Sequence, residues 1–233
     1  MLSIIVPVFN ERGTVKLVVE RLCALALEKE IVVVDDGSSD GSRELLKAEI
    51  EGRPGVTVVY SAHAGKGAAV RRGIAAARGE LVIVHDADLE LEPADVLRVT
   101  APLREGRAEI AFGSRFLEAA PRVFSPHYWA NRALTGLANA LFGSRLTDVA
   151  CCYKCCRKDL LESLRLESEG FELDCELAAK LLRLGKAPLE VPVSYRPRSN
   201  KEGKKIGWLD GVEAAAALLT WRFVRIERDA ERR

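Results

Sequence analysis

Asp86 and Asp88 are the residues of this 233-residue chain with the clearest capacity for chemistry. They stand two apart in HDADLE, at the end of the apolar run LVIV. In extended backbone such residues point the same way, so both carboxylates can face one cation. Oxygen donors select a hard ion, Mg²⁺ or Mn²⁺, and Mg²⁺ usually keeps one or two carboxylates and fills its shell with phosphate and water. The pair therefore predicts a metal ion holding a diphosphate, with Glu90 as a candidate third ligand.

Four other strand-like runs end in residues of comparable promise: Pro7-Val8-Phe9-Asn10-Glu11, Asp35 to Gly41 (DDGSSDG), Ala64-Gly65-Lys66-Gly67 and Gly113-Ser114-Arg115. The Gly65-Lys66-Gly67 turn is a weak phosphate signal. Val70 stands where a G-x-G-x-x-G motif needs its third glycine, and no Ser or Thr follows at Walker A spacing. A dinucleotide dehydrogenase would carry its glycines after the first strand, where this chain has PVFNE.

These residues need a scaffold that gathers strand ends. LSIIVPVF, IVVVDD, VTVVYS, ELVIVHD and EIAFGS are short, β-branched and nearly continuous in apolar character, as in strands buried on both faces of a parallel sheet. Helical patterns lie between them, over about residues 12–28, 40–51, 66–77 and 93–105. The alternation predicts a doubly wound α/β sheet with helices on both faces, whose ligands bind at the carboxyl ends of its strands. The second half offers a helix over about 128–143, then LTD and CCYKCCRK with no element assigned. A helix near 171–184, a strand in APLEVPVSY, the basic loop RPRSNKEGKKIG and a last helix from about 208 follow. No linker divides the chain. The expectation is one domain over 1–233, with a nucleotide-binding half over 1–113, an acceptor-side half over 114–208 and a C-terminal helix over 209–233.

Composition narrows the function. The chain has 35 Lys and Arg against 34 Asp and Glu, a net charge of +1, which excludes a strongly basic nucleic-acid coat. Its apolar stretches fall short of the ~20 residues of a membrane span. No signal peptide is visible, so the expected compartment is the cytoplasm and the six cysteines are expected to be thiols. Among Cys151, Cys152, Cys155 and Cys156 only Cys152-x-x-Cys155 has an ordinary zinc-ligand spacing, and no Cys-x-x-Cys or His pair elsewhere completes a tetrahedron, so the thiols are expected to be structural or incidental.

With these motifs in order, the chain resembles the family 2 inverting glycosyltransferases of GT-A fold, whose sheet is Rossmann-like and mostly parallel. VPVFNE, VVVDDGSSDG, GKGAAVRRG, HDADLE and GSRF carry the resemblance. NRALTGLANALFGSRLTDVACCYK and VSYRPRSNKEGKKIGW are similar to the polyprenyl-phosphate branch, relatives of dolichyl-phosphate mannose synthase. The resemblance covers about residues 2–210. It implies that Pro7, Asn10, Glu11 and Asp36 cradle the nucleotide, with Lys66 and Arg71 nearby. Asp86 and Asp88 would hold the metal on the sugar-nucleotide diphosphate. Arg115, Arg132, Lys204 and Lys205 would meet the acceptor phosphate, with Asp148 beside it. Two features depart from the branch: the four clustered cysteines, where relatives usually have one, and the lack of a transmembrane tail.

The implied reaction moves a hexose from a nucleotide-diphosphate sugar, of GDP-mannose or UDP-glucose type, to a polyprenyl or dolichyl phosphate. A lipid phosphate is largely ionised near neutral pH and needs cations rather than a base. A hydroxyl acceptor on a cell-surface glycan would need a carboxylate base, for which Asp148 is the candidate. Two other readings are a phosphatase with a DxD nucleophile, which usually places its Asp after the first strand, and a non-catalytic nucleotide-sugar module. The implied location is the inner face of the cytoplasmic membrane. Over 209–228, Val212, Ala216, Leu219, Phe223 and Ile226 form one helical stripe, with Arg222, Arg225 and Arg228 elsewhere and Trp221 flanked by cations. That helix either lies in the membrane interface or docks on its own domain or a second subunit.

Overall fold

The computed structural model describes residues 1–117, 126–198 and 207–224. In chain order its elements are β1 (Leu2–Val8), α1 (Val15–Cys23), β2 (Lys29–Asp36), α2 (Ser42–Leu45, continued by a π turn over Leu46–Ile50), β3 (Val56–Ser61), α3 (Lys66–Ala76), β4 (Leu81–Val84), α4 (Asp95–Arg104) and β5 (Ile110–Ser114). The second half adds α5 (Pro126–Phe142), β6 (Lys154–Arg157), α6 (Lys158–Ser163), α7 (Leu173–Arg183), β7 (Leu189–Pro192) and α8 (Trp208–Phe223).

All five strands expected in the first half are present, in a seven-stranded sheet of order β3-β2-β1-β4-β6-β5-β7. β1 pairs in parallel with β2 and β4, β2 with β3, and β5 with β7. Alternation along β1 sends Leu2, Ile4, Val6 and Val8 to the core beneath α1 and α4, and Ile5 to the core beneath α3 and α7. In α1, Val15, Val18, Val19 and Leu22 recur at three- and four-residue steps and are fully buried. The helix is shorter than the pattern over 12–28 suggested. The Lys29 ammonium takes the carbonyls of Cys23 (2.9 Å) and Leu25 (2.7 Å), closing the helix end.

The strand β6 departs from the sequence reading, which assigned CCYKCCRK no element. It runs antiparallel between β4 and β5, with Cys156 opposite Val82 and Cys155 opposite Ala111. Its two thiols are divided between opposite faces of the sheet, Cys155 in one core and Cys156 in the other. Both are fully buried and serve as small apolar groups. All six cysteines are free, and burial pushes the Cys156 thiol up to about 12.

Helix α8 packs on α5 and α7. Ala214, Ala217, Leu218 and Trp221 form its buried face. Trp221 lies on the docked side, where the Lys180 ammonium sits 3.6 Å from its ring centroid. It is therefore not the interfacial tryptophan that the flanking cations suggested. The expected stripe faces outward instead: Val212, Leu219 and Phe223 are exposed. Ile226, Arg225 and Arg228 lie outside the described residues.

Candidate active site at the carboxyl edge of the sheet

The carboxyl ends of the strands open into a cavity of about 1110 Å³. Pro7, Glu11, Asp36 and Lys66 line it, as do Asp86, Asp88, Glu90 and Arg115. These are eight of the residues singled out in the sequence.

Lys66 enters from the start of α3. A Cβ on Gly65 would stand 2.3 Å from the Glu169 carbonyl oxygen, and one on Gly67 2.4 Å from that of Ser168. Gly65 also has a φ of +101°. The close passage of the 168–169 backbone thus accounts for both glycines, and the charge that the turn brings to the cavity is the lysine's. Its ammonium lies 2.9 Å from Asp86 and 3.6 Å from Asp174, above the Phe171 ring at 5.5 Å. Burial alone would raise the Asp86 carboxyl. The Lys66 charge and hydrogen bond, with a further hydrogen bond from the Cys152 thiol, hold it below the usual carboxylate range.

Asp88 is tied to the far end of the chain. Arg198 places Nη2 3.4 Å from Asp88 and 2.9 Å from Glu11. The Arg198 backbone N–H donates to Glu90 (3.0 Å), and the Glu90 N–H donates to Asp88 (3.0 Å). Glu90 also hydrogen-bonds Tyr195, so this expected third metal ligand is engaged in holding the Tyr195–Arg198 segment.

Asp86 and Asp88 remain about a quarter open to the cavity, at 26% and 27% side-chain exposure. Among the described residues no group of three or more His, Cys, Asp or Glu forms a closed cage. Two partly open carboxylates with space before them fit a cation that draws most of its ligands from a diphosphate and water.

Arg115 and Asp148 form a forked pair beside this centre. Arg115 Nε and Nη2 donate to the two Asp148 oxygens at 2.7 and 2.8 Å, and its backbone N–H donates at 3.1 Å. Asp148 is fully buried. Burial opposes its ionisation, but Arg115 overcomes this and holds the carboxyl below the usual range. The guanidinium also lies over the Tyr195 ring at 5.1 Å. Asp148 does not line the cavity, and both its oxygens are occupied, which removes it as a general base. Glu190 supports the pair by accepting from the Thr147 and Asp148 N–H groups (2.8 and 3.1 Å).

Three further expected residues stand away from the cavity wall. Asn10, at φ 52°, accepts the Ser39 N–H (2.8 Å) and so braces the loop after β2. Arg71 reaches the Leu166 carbonyl (3.4 Å) and Glu169 (3.7 Å). Arg132 is exposed on α5 and donates to the Thr147 carbonyl (3.0 Å). Lys204 and Lys205 lie outside the described residues. Asp36 reaches the cavity, yet its carboxylate accepts the N–H groups of Ala64 (3.0 Å) and Gly65 (2.8 Å), so it shapes the loop after β3. His85 is buried, its Nδ1 donating to the Asp86 carbonyl (2.7 Å).

Arg198, Asp174, Phe171 and Tyr195 escaped the sequence reading as site residues. All four line the cavity. FELDCE, with its acidic residues at a helix start, and the RPRS stretch were the available signals. The Phe171 ring faces Lys66, while Leu173 and Leu177 are in the core.

Residues 3–165 match the family described as Glycosyl transferase family 2. The chain belongs to this family. An undecaprenyl-phosphate mannosyltransferase of Micrococcus luteus is 30% identical to it over 229 residues, covering 93% of this chain and 92% of that protein. An undecaprenyl-phosphate 4-deoxy-4-formamido-L-arabinose transferase of Pseudomonas aeruginosa is 31% identical over 210 residues, and the match spans 60% of that protein's length. Among solved structures, glucosyl-3-phosphoglycerate synthase of Mycobacterium tuberculosis with UDP superimposes with a TM-score of 0.76 at 22% identity, over 97% of this chain and 81% of the other. The same enzyme with Mn²⁺, UDP and phosphoglyceric acid gives 0.75 at 23% identity, over 97% and 79%. This family 2 glycosyltransferase therefore has the GT-A α/β fold, and its strand-end cavity is the candidate active site.

Proposed function

We propose that this glycosyltransferase moves a hexose from a nucleoside-diphosphate sugar to a polyprenyl phosphate, with inversion at the anomeric carbon. The observation that carries the reading is the meeting of Asp86 and Asp88 with Arg115 and Arg198 in one cavity. The similarity to an undecaprenyl-phosphate mannosyltransferase along nearly the whole chain supports the choice of acceptor. Asp86 and Asp88 would hold Mg²⁺ or Mn²⁺, which when bound supplies counter-charge to the departing nucleoside diphosphate. Lys66 keeps Asp86 ionised and aimed into the cavity. Arg198 orients Asp88 and Glu11 together. The Arg115 guanidinium lines the cavity and would meet the acceptor phosphate, offsetting repulsion between two anionic substrates, while the exposed Arg132 stands outside the wall. A phosphate oxygen attacks without a general base, in keeping with an Asp148 committed to Arg115. The same pairing argues against a hydroxyl acceptor activated by Asp148. The test is a donor panel of GDP- and UDP-hexoses with a short polyprenyl phosphate and Mg²⁺ or Mn²⁺. The expected product mass is the lipid phosphate plus one hexose. Transfer to glycan hydroxyls alone would overturn the assignment.

No helix among the described residues is long and apolar enough to cross a membrane. A lipid acceptor calls for a surface that touches the bilayer, and the outward stripe of α8 suits it, on the inner face of the cytoplasmic membrane. Leu219 and Phe223 are 45% and 76% exposed, with Arg222 beside them. Replacing both Leu219 and Phe223 by Glu should leave thermal unfolding unchanged, because both are exposed. It should also reduce flotation with anionic liposomes. Equal flotation of folded variant and parent would exclude α8 as the contact.

A further inference from the structure

The cavity has two chemically different halves. Its floor carries the ion pairs described above. Its outer half lies between α5 and α8, with walls that include Ala130, Ala133, Leu137, Val212, Ala214 and Ala215. A nucleotide sugar is polar along its length and gives such walls little to hold. At about 1110 Å³ the cavity also exceeds the ~300–1,000 Å³ of an ordinary small-ligand pocket.

Gly211 sharpens the point. It lies in α8 and lines the cavity, and a Cβ added there would meet no atom within 4 Å. Glycine weakens a helix relative to alanine, and here neither a close backbone approach nor a left-handed φ calls for one. What the missing side chain does is leave the gap between the helices open. The gap ends at an apolar rim, where Trp208 is 77% and Val212 55% exposed. One ligand fits both halves: an anionic head beside Arg115 and a long hydrocarbon running outward between the helices.

Resting on the polyprenyl-phosphate reading, we infer that the α5–α8 groove holds the first isoprene units of the acceptor chain, and that Gly211 sets the width of that passage. Each isoprene buried against these alanines leaves water, so a long acceptor gains over a short one. The groove is then the element that makes the enzyme select chain length.

The experiment compares geranyl phosphate with a long polyprenyl phosphate in detergent, using wild type, Gly211→Phe and Ala215→Leu. Gly136→Ala serves as control, since Gly136 is a helical glycine of α5 with open space around it but no place in the cavity wall. The expected result is a fall in the long-to-short kcat/KM ratio, on the order of tenfold and carried by KM, in both groove variants. The control should keep the wild-type ratio, and calorimetric nucleotide affinity should be unchanged in all. Thermal melts establish that each variant is folded. A wild-type ratio in both folded groove variants, or a wild type indifferent to chain length, would overturn the groove assignment alone. A wild type that uses neither phosphate with any donor would overturn the acceptor reading and the groove with it.

Discussion

Asp88→Asn is expected to lower turnover on the order of 100-fold or more, because the departing nucleoside diphosphate loses its counter-charge. The substitution is nearly isosteric and Asp88 is partly open, so thermal stability should move little. Chelation with EDTA should silence the wild-type enzyme to a similar degree, and Mg²⁺ or Mn²⁺ should restore it. Asp86→Asn is expected to be at least as damaging, since it also leaves the Lys66 ammonium, only 12% exposed, with Asp174 alone at 3.6 Å. Steady-state rates at saturating donor separate these effects from weakened binding. Full activity of Asp88→Asn, or of wild type in EDTA, would remove the metal from the proposed mechanism.

Asp148→Ala should cost the fold about 3–5 kcal/mol, because it strands a guanidinium that is 11% exposed beside a vacated, fully buried carboxylate site. In a chain of this size that loss corresponds to a melting point lower by on the order of 10 °C. Activity should fall too, as Arg115 loses the fork that aims it across the Tyr195 ring. Arg115→Lys should not rescue, since an ammonium cannot bridge both oxygens. The pH dependence has a definite sign. Asp148 is held below the usual carboxylate range in the fold, so its contribution is present above the ~4 of a free aspartate and is lost as pH falls through the lower folded value. Acid melts of wild type should lose this increment in strongly acidic solution, and Asp148→Asn should lack it throughout. An Asp148→Asn protein as stable as wild type at neutral pH would show that the pair contributes no net stability.

The first half of the fold was legible because its signals are local. A strand buried on both faces must be apolar at nearly every position, and LSIIVPVF, IVVVDD and ELVIVHD announce themselves without reference to any partner. The position of Asp86 and Asp88 at a strand end followed directly, and with it the metal expectation. The π turn at Leu46–Ile50, the early end of α1 and the strand β6 were not legible. In β6 the cysteines drew attention to metal chemistry. Only the flanking strands β4 and β5 show that Lys154–Arg157 is the antiparallel member that completes the sheet.

The site divides along the same line. The sequence by itself determined which groups stand at each strand end, because strand boundaries and residue types are properties of short stretches. Which charge faces which was decided by the tertiary structure. Lys66 meets Asp86 across 20 positions, Arg115 meets Asp148 across 33, and Arg198 meets Glu11 across 187. The acceptor-side expectations diverged for this reason: Asp148 entered the reading as a candidate base, and only its bidentate contact with Arg115 shows it spent as a counter-ion. Gly211 is the same case in reverse. Nothing in DGVEA distinguishes a groove-lining glycine from an ordinary helical one until α5 is packed across from it, because an open space is a relation between two elements and is written in neither alone.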